Sequence, residues 1–292
     1  LSNDDIFRIR GQKPAPIPRS RLLQARGHTS QSPQILRVRL RLITEKTIES
    51  AFNDFISDQI SIPPGARKQA STSQTHLRDF LASEIDRDEF FPRVLQIADT
   101  DFLGGSFARH TKIWPLDDID VYIPLDGLGL YYLWYGVPQN YTVVSDNVLE
   151  ENPLLLASER WMDGTHISSV KIIREFKTVL RNHYTKTPVK DEDQAINIQM
   201  TYGETKEEDG LGFDVVPCFR LKPHNTQEYP FYLIPDGKNG WIHTNPRLDT
   251  QLNEELNAKS NGLLRKAVKL VKFWNKNRFD SILGSYYIER RG

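Results

Sequence analysis

Between Leu103 and Ile123 the chain reads LGGSFARHTKIWPLDDIDVYI, and the apolar run closing this segment carries two acids, Asp118 and Asp120, either side of Ile119. An apolar run of this kind is expected to be a strand, and its period of two puts both carboxylates on one face. Two acids side by side repel each other and are costly to bury unless a cation neutralises them. The fold must therefore leave that face open to water or to a hard divalent ion, for which paired carboxylates are natural ligands. A solvated strand end is the plain alternative for an isolated Asp-x-Asp. Asp117 precedes the alternation and is expected on the other face, as a surface acid or a turn former.

Immediately upstream, Gly104-Gly105-Ser106 has no glycine side chains to keep an anion from the backbone N–H groups, and the Ser106 hydroxyl adds a donor. The turn is thus a candidate phosphate cradle, although taken alone it reads as an ordinary glycine-serine turn. Far downstream, Asp214 in Gly-Phe-Asp-Val-Val-Pro is another lone acid in a β-branched run. Carboxylates are depleted in strands and expensive in cores, so an acid between Phe213 and Val215 needs a partner or a metal. A third carboxylate is what two Mg²⁺ ions require when held against a triphosphate and an attacking hydroxyl.

Composition narrows the remaining possibilities. The 292 residues balance 38 Lys+Arg against 38 Asp+Glu, which argues against a general polyanion-binding surface. A chain of this length buries roughly three quarters of its unfolded surface and folds without disulfide or metal. The single cysteine, Cys218, excludes an internal disulfide framework and a Cys-based structural zinc site, and fits a reducing cytosol. No apolar run reaches about 18 residues and no secretory pattern opens the chain, so it is expected to be cytoplasmic, neither membrane-spanning nor exported. It begins at Leu1 and stops at Gly292 just after SYYIE, and so reads as a fragment.

Residues 1–33 read as a flexible basic arm, because Gly11 to Pro33 mixes Pro, Gln, Ser and Arg with few large apolar residues. Helical spacing follows through Leu40, Ile43, Ile48, Ala51, Phe52 and Phe55, ended by Pro63-Pro64-Gly65. A second helix is predicted in SQTHLRDFLASEI, with Leu77, Phe80 and Leu81 on one face, and β-type runs broken by glycine from Asp99 to Val121. Ile167 to Tyr184 is helical through Val170, Ile173, Phe176 and Leu180. AINIQMTY and GFDVVPCF read as a hairpin joined by GETKEEDG. Leu263, Leu264, Ala267, Leu270, Val271 and Trp274 mark an amphipathic helix whose opposite face carries Arg265, Lys269, Lys272 and Lys276, a cationic stripe that is ordinarily solvated. The order predicts an α+β lobe with a helical lobe attached.

A glycine-serine turn, then Asp-x-Asp in a strand, then a single Asp in a later apolar strand resembles the polymerase-beta-type nucleotidyltransferase superfamily. Within it, GGSFARHT, PLDDIDVYI and FDVVPCF most resemble the bacterial CD-NTases, relatives of cyclic GMP-AMP synthase and oligoadenylate synthase that make signalling nucleotides in antiphage defence. The resemblance runs from about Thr72 to Tyr287, and WIHTNP at Trp241 to Pro246 resembles the segment that leads from the catalytic core into the helical lobe. KLVKFW followed by GSYYIE resembles the family's donor-nucleotide site.

The resemblance implies an α+β fold: a polymerase-beta-type core with a mixed sheet flanked by helices over 34–246, and a C-terminal helical lobe over 247–292. That lobe is expected to be incomplete, since family members continue with further helices. It implies Asp118, Asp120 and Asp214 as catalytic residues holding two Mg²⁺ ions, with Mn²⁺ able to substitute. An NTP, ATP among the substrates, would rest its phosphates on Gly104, Gly105, Ser106, Lys272 and Ser285 and stack a base on Tyr286, which taken alone reads as a core aromatic. The product would be a cyclic di- or trinucleotide. A regulatory protein and a product-sensing effector are the implied partners, with no stable nucleic-acid partner and no membrane. The rival readings are a nucleotidyltransferase acting on RNA ends or a small molecule, a non-catalytic nucleotide-binding relative, and an α+β domain whose acids are solvated strand ends.

Overall fold

The structure, a computed structural model, describes residues 47–96, 104–136, 141–145, 151–200, 210–221 and 231–291. The arm at 1–33, Leu40 and Ile43 of the first helical stripe, and all but the last residue of the GETKEEDG turn lie outside them. From Phe52 onward the described residues belong to one compact unit.

Helix α1 (Ile48–Phe55) continues as a π-helical turn over Ile56–Ile60, and only that turn buries its apolar residues, Ile56 and Ile60. The stripe expected to include Phe52 and Phe55 is instead exposed. Pro63-Pro64-Gly65 both ends this element and starts the next: Pro64 is at the first position of α2 (Pro64–Ser83), where a missing N–H costs nothing. Helix α2 thus begins well before the predicted SQTHLRDFLASEI. It buries Leu77 and Leu81 but leaves Phe80 at the edge, stacked on His183 with ring centroids 3.6 Å apart.

Of the region from Asp99 to Val121 expected to be β-type and broken by glycine, residues 99–103 lie outside the described residues; among the rest Gly105–Ala108 is a single helical turn, α3, and only from Ile119 does β1 (Ile119–Leu125) run. Then come β2 (Leu130–Trp134), β3 (Tyr141–Ser145), the short helices α4 (Pro153–Leu156) and α5 (Ser158–Trp161), and a small hairpin of β4 (Met162–Asp163) and β5 (His166–Ile167). Helix α6 (Ser169–His183) is capped by the Ser168 hydroxyl, which accepts from the Lys171 N–H. Its buried face is Ile172, Ile173, Phe176 and Leu180, while Val170, expected inside, is exposed.

Strands β6 (Val189–Glu192), β7 (Ala195–Met200) and β8 (Leu211–Phe219) follow, and β7 and β8 pair antiparallel as the predicted hairpin. The chain closes with β9 (Tyr232–Pro235), β10 (Trp241–Thr244), α7 (Pro246–Lys259), α8 (Leu263–Phe279) and α9 (Ser285–Arg291). Among the described residues the strands form one sheet in the order β4-β5-β3-β10-β9-β8-β7-β6, with β1 added parallel to β8 and β2 antiparallel to β3. This is the mixed sheet expected of an α+β protein.

Alternation along the parallel pair sorts its side chains. Ile119, Val121 and Ile123 of β1, with Phe213 and Val215 of β8, join Leu77, Leu81, Phe176 and Leu180 in the main core. Tyr122 and Val216, one position out of phase, join Cys218 and Tyr232 in a second cluster. Asp120 and Asp214 share the phase of Tyr122 and Val216, so the core packing that fixes β1 and β8 aims both acids away from it. The buried indoles satisfy their N–H groups, Trp161 on the Phe90 carbonyl and Trp241 on the Ile167 carbonyl, each at 3.0 Å. Among the described residues no helix is long and apolar enough to cross a membrane.

Helix α8 departs only in part from the predicted orientation: Leu264 is half-buried, and Leu270 with Phe273 packs against Ile56, Ile60 and Ile113. Its buried residues are Val268, Lys272 and Asn275, whereas Leu263, Val271 and Trp274 are exposed. Three of the four cations expected in solvent face protein, since Arg265 Nε donates to Asn253 Oδ1 at 3.1 Å, Lys269 Nζ donates to Ser61 Oγ at 3.4 Å and Lys272 is 4% exposed, whereas Lys276 is exposed as predicted. The inner face is mixed, with Leu270 and Phe273 on an apolar cluster and Arg265, Lys269 and Lys272 on polar partners.

Candidate active site

Asp120 and Asp214 are register partners on the parallel strands β1 and β8. Asp120 is half-buried, and its pKa is pushed up to about 6, first by burial and then by the charge of Asp214, with Arg109 and Lys112 opposing. Asp214 is also raised by burial. It is held by Asn197, opposite it on β7, whose Nδ2 donates to Asp214 Oδ1 at 2.7 Å and opposes the shift. Gln199 Nε2 in turn donates to Asn197 Oδ1 at 2.9 Å.

The glycine turn is seated directly on these acids. Gly105 has φ +62°, and a Cβ there would lie 1.6 Å from Asp120 Oδ2; a Cβ on Gly104 would lie 2.2 Å from Tyr122 Cε2. Both glycines are therefore required by packing against β1, whatever they also offer an anion. The Gly104 N–H donates to the Asp120 carbonyl at 3.3 Å, and the Ser106 carbonyl accepts from the Thr111 and Lys112 N–H groups at 2.9 and 3.0 Å.

Strand β1 starts at Ile119, so strand alternation does not govern Asp117 and Asp118. Both turn to the buried ammonium of Lys112, and Asp117, expected on the opposite face, is part of the same cluster. Burial lowers the pKa of Lys112, and Asp117 opposes that shift. Gly212 of β8 fixes this entry to the strand: its N–H donates to the Leu116 carbonyl at 2.7 Å, and a Cβ on it would lie 2.0 Å from the Asp117 carbonyl oxygen. As they stand, no three His, Cys, Asp or Glu side chains among the described residues are gathered closely enough to hold a metal ion. The structure brings Asp120 and Asp214 together and leaves Asp118 engaged by Lys112.

A cleft of about 280 Å³ opens above Asp120. Gly105, Ser106 and Asp118 line it, as do Ser285 and Tyr286 from α9. A second cleft of about 270 Å³ is lined by Lys112, Lys272 and Lys276, and shares Asp118 and Ser285 with the first. Tyr286 is 51% exposed rather than part of a core, with the Arg109 guanidinium 5.9 Å from its ring centre. Lys272 lines the second cleft, but its ammonium is bonded to Glu289. Thr244 and Pro246, within WIHTNP, also line the first cleft, and Asn245 between them caps α7 by accepting from the Leu248 N–H.

Sequence reasoning missed Asn197, Lys112, Arg109 and Glu289. Asn197 interrupts the apolar run of AINIQM, and Glu289 follows Ser285 by one helical turn; these were the available signals. Lys112 and Arg109 lie in irregular chain where no period marks a face.

The chain is 31% identical over 248 residues to a Bacillus cereus (strain VD146) protein described as "Probable cyclic nucleotide synthase", covering 84% of this chain and 70% of that relative. It is 23% identical over 243 residues to the cyclic AMP-AMP-AMP synthase of Acinetobacter sp. (strain ATCC 27244 / 9458), covering 81% of this chain and 54% of the relative. Among solved structures, E. coli MS115-1 CdnC in complex with HORMA-deltaN aligns with a TM-score of 0.50 at 16% identity, over 81% of this chain and 60% of that one. CdnC with ATP gives 0.50 at 15% identity, over 82% and 62%. No family model matches the chain. At these identities the structures speak for the fold alone, and that fold is of the polymerase-beta-like α+β type. Together with the curated relatives it defines a nucleotidyltransferase. The chain belongs to the bacterial cyclic nucleotide synthases, the CD-NTases.

Proposed function

We propose that this chain joins NTPs, ATP among them, by attack of a ribose hydroxyl on an α-phosphate with release of pyrophosphate, and closes a cyclic di- or trinucleotide that signals in antiphage defence. The observation that carries this reading is the registered pair Asp120 and Asp214 beneath the glycine-serine turn, in a cleft whose other wall presents Ser285 and Tyr286. The donor set suits a hard cation, because Asp120 and Asp214 are register partners that burial desolvates, and a divalent ion would offset the charge of Asp214 that raises Asp120. Bound to Asp118, Asp120 and Asp214, Mg²⁺ or Mn²⁺ would supply neutralisation of these acids, a lowered pKa for the attacking hydroxyl and a counter-charge for the leaving pyrophosphate.

The chain's own residues do the positioning on which such transfers depend. Asn197 occupies one oxygen of Asp214 and leaves the other for the acceptor hydroxyl, so that Asp214 serves as ligand and general base. Gly104, Gly105 and Ser106 carry phosphates on their backbone, Lys272 and Ser285 receive the triphosphate from the second cleft, and Tyr286 stacks on a base. The division into a core lobe at 34–246 and a helical lobe at 247–292 belongs to the same proposal. So do a cytoplasmic location, a regulatory partner of the kind seen with CdnC and a product-sensing effector. Incubation with all four labelled NTPs and Mg²⁺ or Mn²⁺, followed by phosphatase, tests the reading. A resistant product that vanishes in Asp118→Ala is expected, and its persistence in that variant would reject the site.

A further inference from the structure

Helix α9 brings Ser285 and Tyr286 to the clefts, yet little apolar packing holds it. Ser285, Tyr286 and Tyr287 are exposed, and Ile288 alone among its described apolar side chains is buried. Its leading segment is clamped by Asn275, whose Nδ2 donates to the Leu283 carbonyl at 2.9 Å and whose Oδ1 accepts the Leu283 N–H at 3.2 Å. A further attachment is Glu289, one helical turn beyond Ser285. Arg109 Nε and Nη2 each lie 2.5 Å from its Oε2, Thr111 Oγ1 donates to Oε1 at 2.9 Å, and the Lys272 ammonium also bonds Oε1. The Glu289 and Lys272 side chains are each 4% exposed.

Desolvating three charges is expensive, and partial loss of such a cluster strands the remainder. A well-packed apolar contact would hold α9 as firmly; a charged cluster instead also fixes where the two cations point. Burial pushes the Glu289 carboxyl up, but Lys272 and Arg109 outweigh it and hold it below the usual range, so it stays ionised. Arg109 lines the first cleft and Lys272 the second, while Ser285 lines both.

We infer that Glu289 is a positioning residue of the nucleotide site: by drawing Arg109, Thr111 and Lys272 onto one carboxylate it fixes α9 between the two clefts and sets Ser285 and Tyr286 for the nucleotide. This rests on the nucleotidyl-transfer reading of the site. Its loss unfastens α9 locally while the sheet core, to which α9 contributes little, stays folded.

The test compares wild type with Glu289→Gln and Thr111→Val in steady-state kinetics for ATP, binding of fluorescent ATP with Mg²⁺, and hydrogen exchange. Glu289→Gln should raise KM and the dissociation constant roughly tenfold or more, as for a lost hydrogen bond to a charged group, with a smaller change in kcat. Amides of Ser285–Arg291 should exchange faster while those of β1 and β8 keep their protection. Thr111→Val, which removes one hydroxyl, should shift KM in the same direction by about two- to threefold. Unchanged KM and exchange in Glu289→Gln overturn the inference, as does faster exchange spread evenly over the sheet. If Glu289→Gln lacks a cooperative melt, an unchanged KM in Thr111→Val overturns it. Wild type without product, or Asp120→Asn with product, rejects the nucleotidyl-transfer reading instead, and binding and exchange still decide the role of Glu289.

Discussion

Asp120 and Asp214 stand opposite each other in register on the parallel strands β1 and β8, and Gly105 lies so close above Asp120 that a methyl group there would meet its carboxylate. Parallel neighbours bring together residues 94 positions apart, and the core phase of Ile119, Val121, Phe213 and Val215 leaves the acids no other direction. The hydrophobic core thereby holds two like charges in an arrangement that burial and repulsion make unfavourable, and in the proposed reading this is how the site draws on the stability of its scaffold.

Replacement of Asp118, Asp120 or Asp214 by Ala should lower Mg²⁺-dependent nucleotide transfer by at least about 100-fold, the scale expected when a group acting on transition-state charge is removed. Far-UV circular dichroism should be unaltered. Retention of more than a tenth of wild-type product by any of the three would remove that acid from the site.

Asp120→Asn should stabilise the metal-free protein while inactivating it. The Asp120 pKa rises from 3.8 to about 6 on folding, so between those values the folded state binds more protons than the unfolded one, and stability falls as pH rises through that window. Asparagine has no such titration. Its advantage should therefore be absent below about pH 4, grow to roughly 1–3 kcal/mol near pH 7, and shrink when Mg²⁺ is added. Urea melts from pH 4 to 8 in EDTA decide this; a variant less stable than wild type at pH 7 would contradict it.

Much of this was legible in the sequence where a short period governs. Asp120 and Asp214 could be found because each is an acid in an apolar strand, and the β7–β8 hairpin because AINIQM and GFDVV follow strand patterns. Strand alternation could not place Asp117 and Asp118, since both precede β1 and answer to Lys112. Nor could helical periodicity alone orient α8, because its inner face is mixed: Lys272 is buried, Leu270 is half-buried on an apolar cluster, and Trp274 is outside. Two of the partners of Glu289, Arg109 and Thr111, are about 180 residues away, a separation no local pattern reports.

Gly105→Ala should impair activity more than stability. The residue has φ +62°, a region that costs a residue with a Cβ roughly 1–2 kcal/mol. The added methyl would also sit 1.6 Å from Asp120 Oδ2, so the carboxylate must move. We expect at least about a tenfold fall in kcat, set against a modest shift in the thermal midpoint. Wild-type kcat in a folded Gly105→Ala variant would show that the turn does not fix Asp120.

Asn197→Ala tests whether the amide relay sets the chemistry of Asp214. The Asn197 hydrogen bond favours the ionised carboxylate and opposes the upward push of burial, so its removal lets the Asp214 pKa rise further. The protonated acid neither attracts a cation nor accepts a proton. The acid limb of the pH–rate profile should therefore move to higher pH. A bond to a charged group worth about 1.5–3 kcal/mol gives roughly a ten- to hundredfold loss at the lower end of the active range, recovered in part as pH rises. Gln199→Leu, which removes the donor to Asn197 Oδ1, should move the limb the same way by less. A pH-independent loss in Asn197→Ala would mean that Asn197 orients Asp214 without tuning it, and an unchanged profile would remove the relay from the mechanism.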